Sequence, residues 1–168
     1  MISLPAVAGD PWKLPASRWT EADARQILCA SPWAKTNHGS KAIVRWESAR
    51  SVQLALEKLN FHRSEADYRS HYAVSIVGVP LATRIPKLEA RLKAAGRNSV
   101  PSVNSEVEDN MIIFYFNRVP ALQQPVVFRL PGGLNIGNII EFQGRIGDKT
   151  VKQVFSLRSM TLDGKLDL

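Results

Sequence analysis

Cysteine is nearly absent, with Cys29 standing alone among 168 residues. A single thiol excludes an intramolecular disulfide and any zinc site built on several cysteines. Cys29 is also a poor lipid-attachment point, because Gln26, Ile27 and Leu28 precede it where a small residue is expected. A buried, inert thiol is the plainer expectation. Long apolar runs are missing as well. No window approaches the ~20 apolar residues that a membrane-spanning helix needs, so no span is expected. Basic runs are missing too: the chain carries 22 Lys and Arg against 15 Asp and Glu, a formal charge of +7, but these residues are spread along its whole length. That distribution differs from a nucleic-acid-binding arm. The charge fits attraction to nucleic acid, anionic membrane surfaces or acidic polymers without requiring any of them. There is no Gly-x-Ser-x-Gly elbow, no His-Glu-x-x-His and no fixed-period repeat.

Apolar material is plentiful. Hydrophobic residues make up 45% of the chain and charged residues 22%, ordinary globular usage. A chain of this length buries roughly 70% of the surface its unfolded form exposes, enough for one self-sufficient domain over 10–168. Residues 1–9 end in Ala6-Val7-Ala8 before Gly9, the small-residue spacing a signal peptidase reads. The apolar stretch is short and no basic residue precedes it. The segment is therefore expected to be the tail of a signal peptide or a flexible N-terminus, and the protein periplasmic or secreted, otherwise cytoplasmic.

A helix is expected from Thr20, where Thr20 and Asp23 have capping-box spacing and Ala24, Ile27 and Leu28 form an apolar stripe. Residues 42–46 read as a strand. Val52, Ala55, Leu56 and Leu59 mark one face of a second helix. Residues 72–79 form a strand apolar on both faces. A third helix is expected with Pro86 in its first turn, Ile85, Leu88, Leu92 and Ala95 on its inner face, and Gly96 as its cap. Val103, Ser105 and Val107 alternate with Asn104, Glu106 and Glu108. Asp109-Asn110 then reads as a two-residue hairpin turn into the apolar strand 111–116. A short strand over 126–130 and a loop over 130–133 follow. The last hairpin runs from Ile140 through Gly147-Asp148-Lys149 into 150–157. One βαβ unit followed by a meander predicts an α+β domain, with a mixed, mainly antiparallel sheet and about three helices packed mostly on one face.

Several short stretches carry a resemblance: Asp10-Pro11-Trp12, Trp19-Thr20, Ser31-Pro32-Trp33-Ala34-Lys35, Val44-Arg45-Trp46-Glu47-Ser48-Ala49, Ile113-Phe114-Tyr115-Phe116, and Met160 with Gly164-Lys165-Leu166. Together they resemble a family of uncharacterised exported proteins from acidobacterial genomes. The resemblance spans nearly the whole chain and implies export and a single unit. The family's longer glycine-rich stretch is not matched here, where only 36–42 lies between the Ser-Pro-Trp-Ala and Val-Arg-Trp segments. The family has no assigned activity, so no functional residue is transferred.

Five constellations bear on function. Arg84, Lys87, Arg91, Lys93 and Arg97 concentrate positive charge on the expected third helix; Arg84, Lys87, Arg91 and Lys93 are candidate anion-binding residues. The plainer reading is a solvated outer face. Glu106 and Glu108 share one face of a strand and form a candidate acidic pair, or the wet face of a hairpin. His38, His62 and His71 have no helical metal-ligand spacing, so no metal or cofactor is expected. The loop Gly132-Gly133-Leu134-Asn135-Ile136-Gly137 lies between expected strands, not before a helix, and reads as a turn rather than a phosphate cradle. Trp12, Trp19, Trp33 and Trp46 all fall in the first third and could meet sugar or peptide ligands if exposed; the plainer expectation is that Trp12, Trp19 and Trp33 dock the N-terminal arm onto the sheet. The function expected from all this is an exported, non-catalytic binding or protein-interaction domain. The alternatives are an anion- or nucleic-acid-binding protein using 84–97, and an enzyme whose site is built from distant residues. The partner would be another protein or an anionic polymer, with nucleic acid less favoured.

Overall fold

A computed structural model describes residues 9–61, 68–80, 87–94, 98–118 and 139–168. Ala6-Val7-Ala8, His62, Arg84, Ile85, Pro86, Ala95, Gly96, Arg97, the expected strand over 126–130 and the Gly132–Gly137 loop lie outside the described residues.

Two short 3₁₀ turns, Pro11–Lys13 and Ala16–Arg18, lead into helix α1, Glu21–Cys29. The expected capping box forms: Asp23 N donates to Thr20 Oγ1 at 3.2 Å, and Thr20 N to Asp23 Oδ2 at 2.8 Å. That backbone bond from Thr20, helped by its hydroxyl, holds the Asp23 carboxyl below its usual range. Strands β1, Ala34–Thr36, and β2, Ile43–Trp46, precede helix α2, Arg50–Lys58. Strand β3 is His71–Val77, buried on both faces as its composition implied. Then come β4, Leu88–Ala94; β5, Val100–Pro101; β6, Asn104–Glu108; and β7, Met111–Asn117. The long hairpin β8, Ile139–Ile146, and β9, Lys149–Ser156, is followed by the small hairpin β10, Thr161–Leu162, and β11, Lys165–Leu166.

The strands form a five-stranded sheet in the order β1-β2-β3-β7-β6, a four-stranded sheet in the order β5-β4-β8-β9, and the separate pair β10-β11. The α+β class holds, with two corrections. Every strand pairing among the described residues is antiparallel, so the sheet is not mixed there: β2 and β3, joined through α2, pair antiparallel from Ile43↔Val77 to Trp46↔Val74. Two α-helices are described, and the expected third helix is replaced over 88–94 by a strand. Leu88, Ala90, Leu92 and Ala94 recur at period two as well as offering Leu88 and Leu92 at helical spacing. Seven pairs with β8, from Leu88↔Ile146 to Ala94↔Ile140, favour the strand.

The two main sheets pack face to face. Phe142 of β8 lies 6.0 Å from Phe114 and 6.4 Å from Phe116 of β7, and Phe155 of β9 lies 5.9 Å from Trp46 of β2. The apolar sides of α1 and α2 join this same core, through Ala24, Ile27, Leu28, Val52 and Ala55. Trp19, Trp33 and Trp46 are buried in it, so these three tryptophans are anchors and not ligand platforms. Cys29 is exposed, which corrects the expectation of a buried thiol: it falls beside the Ala24-Ile27-Leu28 stripe and not on it.

Helix α2 has Ala49 at its N-cap and no cap from its own neighbourhood. Asp167 supplies one from the far end of the chain. Its carboxylate accepts from Arg50 N at 2.6 Å and Ser51 N at 2.9 Å. Its own backbone is held by Trp33 Nε1, donating to Asp167 O at 2.8 Å, and by Asp167 N donating to Met160 O at 2.9 Å.

Two stability predictions result. Asp167→Ala should cost about 2 kcal/mol, since it removes a cap and leaves two amide N–H groups unpaired, while Asp167→Asn should lose less; denaturant melts of the pair measure both. Gly144→Ala should cost about 1–3 kcal/mol, because a Cβ there would lie 2.7 Å from Cδ1 of fully buried Ile76. Combining it with Ile76→Val should recover part of that loss.

Candidate charged face and cleft

On the four-stranded sheet, alternate residues point into the core and the others outward. Antiparallel partners share a face, so the outward side is read directly from the register. One row is Arg91, Gln143 and Lys152; the next is Glu89, Arg145 and Thr150; the third is Lys93, Glu141 and Val154. Arg91, Lys93, Arg145 and Lys152 are all exposed. Lys87 Nζ bridges Glu89 Oε1 at 2.8 Å. That hydrogen bond and the ammonium charge, with smaller help from Arg145 and Arg91, hold the Glu89 carboxyl below its usual range. Lys93 stands directly across from Glu141. Arg145 likewise stands across from Glu89, which Lys87 already engages. Arg91, Arg145 and Lys152 surround Gln143, and none of them forms an ion pair among the described residues. Strands lie ~4.8 Å apart and same-face residues ~6.7 Å apart along a strand, so these three cations stand within ~10 Å of each other.

Of the expected anion-binding residues, Arg91 and Lys93 therefore do share a face, but on a strand; Lys87 sits at its entrance and is engaged with Glu89. Arg145 and Lys152 were not expected. They lie 54 and 61 residues downstream of Arg91, and only strand pairing brings them alongside. The outer edge of β9 is closed by side chains: Asn37 Nδ2 donates to Lys152 O at 2.6 Å and Lys35 Nζ to Val154 O at 3.1 Å.

Glu106 and Glu108 are exposed on β6, next to the expected Asp109-Asn110 turn, where Asp109 has a φ of 45°. Glu106 accepts from Tyr115 Oη at 2.8 Å. Burial, then the bond to Glu106, raises the Tyr115 phenol well above its ordinary value. His71 packs its ring edge-on against Tyr115, 6.4 Å between centroids, and its Nδ1 lies 2.8 Å from Ser70 Oγ. Imidazole and carboxylate thus flank one phenol. Among the described residues no carboxylate orients His71, as an activated serine–histidine pair would require. His38 is exposed in the turn after β1.

The same outer face of the five-stranded sheet carries a group absent from the sequence expectations. Arg45 Nε donates to Glu47 Oε1 at 2.7 Å, and Ser75 Oγ donates to the same oxygen. The two charged side chains are 9% and 0% exposed. A buried pair of this kind repays its desolvation only when its bonds are short and saturated, and here it ties β2 to β3.

An open cleft of about 550 Å³ lies elsewhere, between the Pro11–Lys13 turn and the β10–β11 hairpin, with half-buried Trp12 in its wall. Among the described residues no group of three or more His, Cys, Asp and Glu is placed to hold a metal ion, and no helix is long and apolar enough to cross a membrane. Comparison with protein-family models, curated proteins and solved structures returns no match.

The Tyr115 phenol yields a pH prediction. Its folded value lies above the ordinary ~10, so its stabilisation is complete below pH ~10 and is lost as pH climbs through the raised value. Stability measured by denaturant melts from pH 9 upward should fall, and Tyr115→Phe should flatten that fall. An equally steep fall in Tyr115→Phe would refute the assignment.

Proposed function

We propose that this protein is a non-catalytic binding domain that holds an anionic polymer on the exposed face of its four-stranded sheet. The observation that carries the reading is the group Arg91, Arg145 and Lys152 around Gln143, three solvated cations on adjacent strands without ion-pair partners among the described residues. Neutralising phosphate, sulfate or carboxylate groups there releases the polymer's counterions, a driving force that such a face supplies without any pocket. The outward rows carry no aromatic ring, so the face offers no platform for stacking unpaired bases. It reads charge, which favours an acidic polysaccharide over a single-stranded nucleic acid. Export, and kinship with the acidobacterial exported proteins, belong to the same proposal; Ala6-Val7-Ala8 and the tryptophan-bearing segments support them.

Heparin serves as the probe and duplex DNA as its comparator. Affinity for heparin should fall steeply as salt rises, and Arg91→Ala, Arg145→Ala and Lys152→Ala together should lower it at least tenfold at low salt. Salt-independent binding, or a triple variant that binds as well as the parent, would overturn the reading. Tighter binding of duplex DNA would replace the polysaccharide with nucleic acid.

A further inference from the structure

The cleft beside Trp12 has a different chemistry from the charged sheet face. We propose that it is a second binding site, for a neutral oligosaccharide.

Its two walls come from opposite ends of the described chain, and both are braced. On one side, Trp19 Nε1 donates to Pro11 O at 2.8 Å and to Leu14 O at 3.1 Å, clamping the 3₁₀ turn that carries Trp12. Trp12 itself rests edge-on against buried Trp33, 6.4 Å between centroids and 84° between planes. On the other side, the β10–β11 hairpin turns through Asp163 and Gly164, with φ values of 51° and 75°. Two successive positive φ values are what a tight two-residue hairpin turn requires. The site therefore needs little ordering when a ligand enters.

The lining charges cancel. Asp10 and Lys13 pair with each other at 2.6 Å, and Arg158 is matched by Asp163. A polyanion gains nothing from such a cleft. The side chains of Arg158, Thr161 and Asp163 make no hydrogen bond or ion pair among the described residues, although all three line the space. A guanidinium donates, a carboxylate accepts and a hydroxyl does both, which is the set that matches the mixed donors and acceptors of sugar hydroxyls. The indole of Trp12 supplies an apolar surface for the C–H face of a pyranose ring, with its polar groups left for the rim. The volume of about 550 Å³ lies within the ~300–1,000 Å³ of ligand pockets and suits a short oligomer. A peptide is less well served. The strand edges here are two residues long, too short to extend onto an added strand.

Intrinsic fluorescence tests the site, because Trp19, Trp33 and Trp46 are buried and Trp12 alone reports on the cleft. The full chain is titrated with soluble oligomers of glucose, xylose, mannose and N-acetylglucosamine. At least one should bind, with an affinity that stays level as salt is raised. Arg158→Gln and Asp163→Asn, both surface changes, should each weaken binding about tenfold, as loss of a charged hydrogen-bond partner does. Trp12→Ala, titrated by calorimetry because it removes the reporter, should abolish binding; if that variant fails to fold, the two surface variants decide alone. Failure of all four oligomers to bind, or full affinity in both surface variants, would overturn the proposal. So would a site that takes only polyanions in a salt-sensitive manner, or only an extended peptide.

Discussion

The apolar contact between the two main sheets is the constraint on which the remaining features depend. Phe142 between Phe114 and Phe116, Phe155 against Trp46, and Gly144 close to Ile76 commit alternate residues of β8 and β9 to the interior. Burying one large apolar side chain is worth ~1.5–3 kcal/mol, whereas an exposed ion pair is worth ~0–1 kcal/mol. The core therefore chooses the register, and the charges follow. A slip of one residue would turn Phe142 out and Arg145 in. Arg91, Arg145 and Lys152 hold their mutual spacing because hydrophobic burial has already fixed the strands that carry them.

Asp167 extends this constraint to the other end of the molecule. One residue caps α2, accepts from the Trp33 indole and closes on Met160. Trp33 in turn supports Trp12. The cleft thus rests on hydrogen bonds that join residues more than a hundred positions apart, and it exists only in the folded chain. Neither wall has a core of its own: a 3₁₀ turn and a hairpin of two-residue strands are too small to be stable alone.

The local elements were legible wherever one periodicity dominated. Thr20 with Asp23, the Val52-Ala55-Leu56-Leu59 stripe, the Asp109-Asn110 turn and the alternation through Phe142 all name their structures without tertiary help. Leu88 to Ala94 did not, because its apolar residues satisfy two periods and only pairing with β8 breaks the tie. The antiparallel sense of β2 and β3 is likewise a property of the assembled sheet; a strand–helix–strand order permits either direction. Asp163-Gly164 was readable as a hairpin turn from its residue types but has only two residues of strand on each side. The candidate site was half legible. Arg91 and Lys93 stood out as a local concentration of positive charge, whereas Arg145 and Lys152 are interspersed with Glu141 and Asp148, and Arg158 and Asp163 belong to no charge cluster of one sign. Nothing in the sequence singles out Arg45 near the end of β2 or Glu47 just beyond it as a buried pair.

The sides of the two sheets that turn away from their shared core differ: on the five-stranded sheet Ala73, Ser75 and Ile113 are buried, whereas on the four-stranded sheet Arg91, Arg145 and Lys152 are exposed. On the five-stranded sheet the Arg45 guanidinium has lost its water and faces Glu47, which Ser75 also contacts. Its charge is cancelled at short range in a medium of low polarity, so a ligand would have to break that pair and leave a buried charge uncompensated. On the four-stranded sheet the cations remain hydrated and face open solvent. Hydration makes them poor contributors to stability, as surface charges generally are. For the same reason they cost little to redirect toward phosphate, sulfate or carboxylate, and the released counterions provide the free energy. The proposed polyanion binding therefore rests on the distribution of buried and solvated cations more than on the net charge of the chain.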